Sequence, residues 1–274
     1  MNAWQSSYVE TNGIRMHYWR TGDGSKPPVV LSHGGADSGR CWSRTARALE
    51  AAYDVIMVDA RGHGLSDAPD QGYGPRVSAA DLAGLIRALG IEKPHLIGHS
   101  MGGEISANCA ADFPELPRSL VVIDSGFISN GGRYAVSPEE AGQRIAGMQA
   151  AMREMQASTL EELIARCRIE NPGWHKDELE PWAESKLQAS LNGRLFFTEA
   201  KRPWQETLAA IQCPMLLLVG DPERHSHTAW DAAVQATGIW REGQLIHIAG
   251  AGHNVQRDRW EAFMARITAW MAAH

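Results

Sequence analysis

The segment Gly98–Gly102 places a serine between two glycines in the pattern G-x-S-x-G. The strand-like run His95-Leu96-Ile97 precedes it and a helix-forming stretch follows, so the motif is expected at a strand-to-helix turn. Such a turn is tight, and side chains at its two glycine positions would collide with the adjoining strand or helix. The turn raises the Ser100 hydroxyl from the end of the sheet and directs a helix N-terminus at it. We therefore interpret Ser100 as a nucleophile rather than as part of an ordinary glycine-rich turn.

A hydroxyl nucleophile needs a general base, and the chain contains 11 histidines. His253 lies after the last predicted strand, where a loop can carry an imidazole over the C-terminal edge of the sheet. His247 lies within that strand and is expected to pack in the core. His225 and His227 have no cysteine or third ligand spaced for zinc, so we expect a surface loop there and no metal site. His253 is therefore the predicted base.

An oxyanion hole requires two N–H donors directed at the oxygen on which negative charge develops. The backbone N–H of Met101, directly after the candidate nucleophile, is one predicted donor. The second is expected from the segment His33-Gly34-Gly35-Ala36, which follows an early apolar run. We choose the N–H of Gly35, because a glycine lets the backbone approach a substrate closely. Without the serine motif, the same glycines would predict only a turn.

Alternating strands and helices must position these residues. Short apolar runs alternate with helical patterns through the first half of the chain, and the alternation resumes at Met215–Val219. This order predicts an α/β fold with a mostly parallel sheet and helices on both faces. Residues 126–205 contain helical patterns, including a capping sequence at Ser137–Glu140, but no buried strand. We therefore predict a core segment at 1–125, a helical cap at 126–205 and a second core segment at 206–274.

Four segments, in this order, carry a resemblance to a known family: His33-Gly34-Gly35, Asp59–Asp67, Gly98–Gly103 and Gly250–His253. The chain resembles the α/β-hydrolase superfamily, in the lid-bearing branch of small bacterial esterases, lactonases, C–C hydrolases and haloperoxidases. The resemblance implies an eight-stranded, mostly parallel sheet with helices on both faces and an inserted helical lid. It also implies that the segment at Asp59 is structural and that the acid of a catalytic triad lies between Ser100 and His253.

Three carboxylates remain candidates for that acid. In Gly220-Asp221-Pro222-Glu223 the last residue occupies the position where the family carries its aspartate, so Glu223 is preferred although its side chain is longer. Asp124 ends the sixth predicted strand, where some relatives carry the acid, and is the second candidate. Asp221 is the third. The carboxylates that are not used are expected to cap a helix or form a salt bridge in a loop.

A serine at this turn separates the chain from relatives of similar fold that use an aspartate there, the haloalkane dehalogenases and epoxide hydrolases. It favours attack on a carbonyl, formation of an acyl-enzyme and hydrolysis by water, with His253 moving the proton. The expected activity is that of a serine hydrolase of esters, lactones or amides, with no cofactor. Hydroxynitrile-lyase, C–C hydrolase or perhydrolase chemistry with the same residues remains an alternative, as does a slow-turnover ligand receptor of this fold.

The candidate substrate-binding residues come mainly from the predicted cap. They are Trp42, His99, Met148, Met152, Trp174, Trp182 and Trp204. His99 is expected beneath the nucleophile. For the methionines, packing of the cap onto the sheet is the alternative interpretation, and it is the commoner use of such a stripe. Most of the 10 tryptophans are expected to pack the scaffold. No charged cluster stands out, so a neutral, largely apolar substrate is expected.

Composition limits the partners. The formal net charge of −6 argues against nucleic acid or an anionic membrane. The irregular spacing of the 4 cysteines predicts free buried thiols. No signal peptide and no apolar stretch long enough to span a membrane is visible, so a cytoplasmic location is expected. The expected partner is a small-molecule substrate, with a homodimer as a possible assembly.

Overall fold

The fold is built on one twisted sheet, and the structure, a computed structural model, describes residues 4–129 and 137–274. The strands are β1 (Gln5–Thr11), β2 (Ile14–Arg20), β3 (Pro28–Ser32), β4 (Asp54–Val58), β5 (His95–His99), β6 (Ser119–Ile123), β7 (Met215–Val219) and β8 (Gly243–His247). They lie in the order β1-β2-β4-β3-β5-β6-β7-β8. The pairs β1–β2 and β2–β4 are antiparallel and all the others are parallel. The predicted eight-stranded, mostly parallel sheet is confirmed.

Helices alternate with most of the parallel strands, as predicted. In the described part of the chain they are α1 (Ser43–Leu49), α2 (Pro75–Ala88), α3 (Met101–Asp112), α4 (Pro138–Gln156), α5 (Leu160–Glu170), α6 (Lys176–Gln188), α7 (Trp204–Ala210), α8 (Trp230–Ala236), α9 (Val255–Asp258) and α10 (Trp260–Ala273). Short 3-10 helices span Gly39–Trp42, Leu191–Phe197 and Pro222–Arg224.

Each face of the sheet carries its own apolar core. In β3, Val29 and Leu31 pack on one face and Val30 packs on the other, because successive side chains of a strand point in opposite directions. One core includes buried residues of α2, α3, α7 and α8, and the other those of α1 and α10. Because both faces are covered, the strands β4 to β7 are buried along their whole length. The C-terminal ends of the parallel strands therefore meet at one edge of a rigid support.

A helical segment lies between β6 and β7 in chain order, within the predicted cap at 126–205. Residues 130–136 of that range lie outside the described residues. α4 begins with the predicted capping box, in which Ser137 and Glu140 bind each other's backbone N–H. α5 and α6 share a small core of their own, formed by Leu163, Cys167, Leu179, Trp182 and Ala183. The segment is therefore a packed helical unit and not a long loop.

Hydrogen bonds and one apolar contact connect this helical unit to the segments at the C-terminal end of the sheet. Lys186 Nζ on α6 donates to Asp37 Oδ1 and to the carbonyl oxygen of Ala36, both at 2.8 Å. Trp174 Nε1 donates to Asp258 Oδ1 at 2.8 Å. Met152 on α4 packs against Ala36. The contacts of Lys186 and Met152 join the helices to the segment after β3, which carries a predicted oxyanion-hole donor, and the contact of Trp174 joins them to α9.

Candidate active site

The turn between β5 and α3 has the strained geometry that the motif predicts. Ser100 has φ 53° and ψ −116°, a conformation that costs energy for a residue with a side chain. A Cβ added to Gly98 would overlap the Gly102 carbonyl oxygen, and one added to Gly102 would overlap the Ser32 carbonyl oxygen. Both glycines are therefore required for β5, α3 and β3 to approach so closely. The turn directs the Ser100 side chain into a cavity.

His253 follows β8 in a loop that crosses the edge of the sheet. Its Nε2 lies 3.0 Å from Ser100 Oγ, and its Nδ1 lies 2.6 Å from Asp124 Oδ2. With the proton on Nδ1, the ring donates to the carboxylate and accepts from the serine hydroxyl. The structure thus brings Ser100, His253 and Asp124 into one hydrogen-bonded chain. A serine, an imidazole and a carboxylate in this order can activate the hydroxyl as a nucleophile.

Asp124 is fully buried directly after β6, with φ 38°. Besides His253, it accepts hydrogen bonds from the backbone N–H groups of His227 and Thr228 at 2.7 and 3.0 Å, and from the Ser226 hydroxyl. Burial alone would raise the pKa of this carboxyl group, but the hydrogen bonds and the charge of His253 lower the pKa overall. Asp124 is therefore held as a carboxylate.

The structure corrects the preference for Glu223 as the acid. Glu223 lies exposed in the 3-10 helix Pro222–Arg224, and no hydrogen bond or ion pair joins its side chain to the rest of the described residues. His225, with φ 64°, ends that helix and turns the chain back. As a result, the residues after Glu223 approach Asp124 with their N–H groups, while the glutamate points into solvent.

Asp221, the third candidate for the acid, has a different partner. It accepts from the N–H of Gly250 at 2.7 Å and from His247 Nε2 at 2.6 Å. It therefore joins the ends of β7 and β8. This contact also corrects the expectation for His247, whose side chain is 41% exposed and does not pack in the core. Asp221 follows β7 and His247 ends β8. Because these strand ends lie side by side at the edge of the sheet, the two polar side chains pair with each other.

Met101 and Gly35, the predicted oxyanion-hole residues, both line the cavity beside Ser100. Met101 is the first residue of α3, so its N–H has no partner within the helix. Neither this N–H nor that of Gly35 has a hydrogen-bond acceptor in the described part of the chain. A Cβ on Gly35 would lie 2.7 Å from Phe197 Cζ, so the site excludes a side chain here. The two free N–H groups are available to a carbonyl oxygen.

The cavity has a volume of about 560 Å³ and lies between the end of the sheet and the helices α4 and α6. Of the predicted substrate-binding residues, the cavity is lined by His99, Met148, Met152, Trp174 and Trp182. Met152 also packs against Ala36, so this residue both lines the cavity and packs α4 onto the segment after β3. A cavity of this size accommodates a small organic molecule.

Trp42 and Trp204 do not line this cavity, which corrects their assignment. Trp42 is buried in the core on the α10 face of the sheet, with its ring centroid 6.3 Å from that of Phe263. Trp204 begins α7 and is buried in the core on the opposite face. Each lies close in sequence to a residue of the cavity, but its side chain points into the sheet. Sequence proximity alone could not reveal that direction.

Two further histidines contact His253. His99 Nε2 donates to the carbonyl oxygen of His253 at 2.9 Å, and burial lowers the pKa of His99 to about 3, so the ring is neutral. The ring of His227 stacks on that of His253 with centroids 3.5 Å apart. The sequence predicts only a surface loop at His227, so this contact with His253 is not anticipated by it. The sequence does offer one indication of a role for His227, namely that it lies four residues after the candidate acid Glu223.

Charged side chains at the cavity were also missed. Arg144, Lys186, Arg194 and Arg257 line the cavity together with Asp37 and Glu104. They come from α4, α6, the loop after β3, α3 and other separated elements, so no charged cluster is visible along the sequence. Among residues 4–129 and 137–274, no group of three or more His, Cys, Asp or Glu side chains could hold a metal ion. No helix in that part of the chain is long and apolar enough to cross a membrane.

Comparison with known proteins agrees with this architecture. The chain is 27% identical to N-formylmaleamate deformylase of Pseudomonas putida, over 94% of this chain and 92% of the relative. It is 29% identical to 2-hydroxy-6-oxononadienedioate/2-hydroxy-6-oxononatrienedioate hydrolase of Burkholderia vietnamiensis, over 91% and 88%. The crystal structure of E-2-(acetamidomethylene)succinate hydrolase superposes with a TM-score of 0.79 at 24% identity, covering 98% of this chain and 100% of that one, which shows a shared fold. The model of the alpha/beta hydrolase family matches residues 29–266. The chain belongs to the alpha/beta hydrolase family of enzymes.

Proposed function

We propose that the protein is a serine hydrolase that cleaves an ester, lactone or amide through Ser100, His253 and Asp124. The observation that carries this proposal is the continuous hydrogen-bonded chain, 3.0 Å from Ser100 Oγ to His253 Nε2 and 2.6 Å from His253 Nδ1 to Asp124 Oδ2. A hydroxyl paired with a neutral imidazole can lose its proton as it attacks a carbonyl carbon. The two free N–H groups beside the serine support the same chemistry.

In the proposed reaction, Ser100 Oγ attacks the substrate carbonyl while His253 Nε2 takes the hydroxyl proton. The N–H groups of Gly35 and Met101 stabilise the negative oxygen of the tetrahedral intermediate. His253 then donates its proton to the leaving alcohol or amine, which departs and leaves an acyl group on Ser100. His253 next takes a proton from water, whose oxygen attacks the acyl carbon. The C–O bond to Ser100 then breaks, His253 returns the proton to Ser100 Oγ, and the acid is released. Asp124 stabilises the imidazolium at each stage because its carboxylate remains ionised.

We further propose that residues 126–205 act as a cap over this site. The support for this assignment is the position of α4 and α6, whose side chains form one wall of the cavity. Met148, Met155, Trp174 and Trp182 give that wall apolar surface for the body of a substrate. Four buried thiols, none in a disulfide, are compatible with a reducing compartment, and we propose a cytoplasmic location.

Pre-steady-state kinetics with 4-nitrophenyl acetate test the acyl-enzyme. Because acylation by an activated ester is fast, we expect a burst of about one 4-nitrophenolate per chain, followed by slower turnover. The variant Ser100→Ala should show neither burst nor turnover, whereas Ser25→Ala, at an exposed serine in the loop before β3, should keep both. A burst that persists in Ser100→Ala would contradict the proposal.

A further inference from the structure

Arg194 is a buried cation in the wall of the active-site cavity. It lies in the 3-10 helix Leu191–Phe197, and only 7% of its surface is exposed. In the part of the chain that the structure describes, its guanidinium group takes part in no hydrogen bond and no ion pair. An arginine in this state is unusual, because burying an unpaired charge is unfavourable and proteins normally provide it with a partner.

The other strongly buried charges at this wall are already paired within the protein. Asp37 accepts from Lys186 Nζ at 2.8 Å and from Arg257 Nη2 at 2.9 Å. Burial raises the pKa of Asp37, but these two cations outweigh it and lower the pKa. Asp37 therefore serves both cations and does not form an ion pair with Arg194.

A second buried ion pair also contributes to the wall of the cavity. Glu104 lines the cavity from α3 and accepts from Lys201 Nζ at 2.6 Å. Arg144, on α4, is also engaged in an interaction of its own. Arg257 has a second carboxylate partner, since its Nε lies 3.5 Å from Glu178 Oε2, so Lys186 and Arg257 face two carboxylates in total. Among residues 4–129 and 137–274, Arg194 is therefore the cavity cation that has no hydrogen-bond or ion-pair partner.

The guanidinium group of Arg194 remains charged despite its burial. Burial lowers the pKa of Arg194 to about 10, and nearby Asp37 opposes that shift. A group with this pKa is protonated at neutral pH. A guanidinium group also presents a planar fork of N–H donors that matches both oxygens of a carboxylate. An anion that binds in the cavity could therefore form an ion pair with the guanidinium group of Arg194, which is already buried and has no other counter-charge in the described part of the chain.

The guanidinium group of Arg194 lies close to the place where the carbonyl group of a substrate would react. Arg194 Nη1 lies 3.7 Å from the point that a Cβ of Gly35 would occupy. The cation therefore lies beside the N–H that we assign to the oxyanion hole. A substrate that places its carbonyl oxygen at Gly35 would reach Arg194 with a group only a few bonds away. One unbalanced charge also fits a singly charged carboxylate better than a phosphate, which carries nearly two charges at neutral pH.

We propose that Arg194 binds a carboxylate of the substrate, so that the preferred substrate is an ester or amide with an acid group a few bonds from the scissile carbonyl. This inference rests on the serine-hydrolase function proposed above. It replaces the neutral substrate expected from the sequence with one that has an apolar body and an acidic end. Arg194 is then a specificity-determining residue.

The test compares two esters of nearly the same shape, monomethyl succinate and methyl 4-methylpentanoate, by methanol release. The wild-type protein should prefer the acid ester in kcat/KM by about tenfold or more, and Arg194→Met should lower the ratio of the two values about a hundredfold. Arg194→Lys, which keeps the charge but not the fork, should give an intermediate ratio. Arg266→Met, on the exposed face of α10, is the matched control and should leave the ratio unchanged.

Equal losses on both esters in Arg194→Met would overturn the proposal, because they would indicate stabilisation of the oxyanion or of the fold. Folding is checked by thermal denaturation, where removal of an unpaired buried charge should leave Tm unchanged or higher. An independent readout needs no variant: succinate should protect wild-type Ser100 from a fluorophosphonate far better than succinamide does. If Ser100 is labelled and neither protection nor acid preference appears, the carboxylate site is wrong and the serine hydrolase stands. If Ser100 is not labelled at all, the proposed function itself fails.

Discussion

His253 Nδ1 lies 2.6 Å from Asp124 Oδ2, although 129 residues separate the two in sequence. The contact arises because β6 and β8 both pair with β7 in parallel, so Asp124 after β6 and the loop after β8 lie at the same edge of the sheet. Asp124 is held in place by three further donors from residues 226–228, so its carboxylate is rigid before any substrate binds. A preorganised carboxylate fixes the imidazole with its free Nε2 toward Ser100.

Replacement of the acid tests this relationship. Asp124→Asn should lower kcat about 10³–10⁴-fold, because an amide cannot stabilise the imidazolium and can hold the wrong tautomer. Glu223→Gln is the matched comparison and should change kcat less than about threefold, since Glu223 is exposed and lies away from His253. Ester hydrolysis at saturating substrate measures both. A larger loss in Glu223→Gln than in Asp124→Asn would reverse the assignment.

The limits of the sequence are clearest at this acid. The family pattern favours Glu223, and the pattern is correct about the region, since the chain from 226 to 228 does contact the site. What decides between the carboxylates is the left-handed turn at His225, a local conformation that a non-glycine residue adopts rarely and that no spacing rule anticipates. Asp124 was a candidate because it ends a strand, and strand ends gather at one edge in a parallel sheet.

The buried network at Asp37 should couple the helical unit to the sheet. Asp37→Asn would leave Lys186 and Arg257 without their shared counter-charge, and we expect a loss of about 3–5 kcal/mol in the free energy of unfolding. Urea denaturation measures this loss, with exposed Asp23→Asn as the control. Adding Lys186→Met to Asp37→Asn should restore part of the stability. A loss below about 1 kcal/mol would mean that the network contributes little.

Acid should destabilise the fold through its buried histidines. Burial lowers the pKa of His95 to about 4 and that of His99 to about 3, whereas an unfolded histidine has its pKa near 6.5. Below pH 6.5 the unfolded chain binds protons that the folded chain does not, so stability is present above 6.5 and falls as the pH drops toward these values. Each group should contribute a slope of about 1.4 kcal/mol per pH unit.

Urea denaturation between pH 5 and 7 checks this slope. His95 is suited to the test because it lies in β5, remote from the reaction, and bonds Ser119 Oγ at 2.8 Å. His95→Gln should flatten the dependence by about 1 kcal/mol per pH unit on average over this range, because a neutral amide replaces the titrating ring and the unfolded histidine loses its proton near pH 6.5. An unchanged slope would show that His95 is accessible to protons in the folded state.

Replacement of a core tryptophan should mainly affect stability, whereas replacement of a cavity tryptophan should mainly affect substrate binding. Trp204→Ala should lower the free energy of unfolding by about 3–5 kcal/mol, because it removes a large buried side chain, with KM little changed. Trp182→Phe should instead raise KM about fivefold, because about 1 kcal/mol of apolar contact with the substrate is lost at the cavity wall. Steady-state kinetics and urea denaturation together measure both. Similar effects of the two variants on KM would contradict the placement.

Local sequence patterns predict the positions of strands and helices better than they predict which side chains line the cavity. The strand β3 and the helix α2 follow directly from apolar runs and helical periodicity, because burial in a sheet dictates both. Arg194 could not be recognised in this way. An arginine near the end of a helical segment normally faces solvent, and only the folded chain shows that this one is buried without a partner. The direction in which the side chain of Trp42 points likewise depends on the folded structure and cannot be read from its neighbours in the sequence.

Covalent labelling of the intact protein tests the central claim most directly. A fluorophosphonate reacts with a serine only when a base activates it and an oxyanion hole stabilises the adduct. We predict one adduct per chain, located at Ser100 by peptide mass spectrometry, absent in Ser100→Ala and strongly slowed in Asp124→Asn. A folded wild-type protein that remains unlabelled, or one labelled at a different serine, would contradict the assignment of Ser100, His253 and Asp124 as the catalytic machinery.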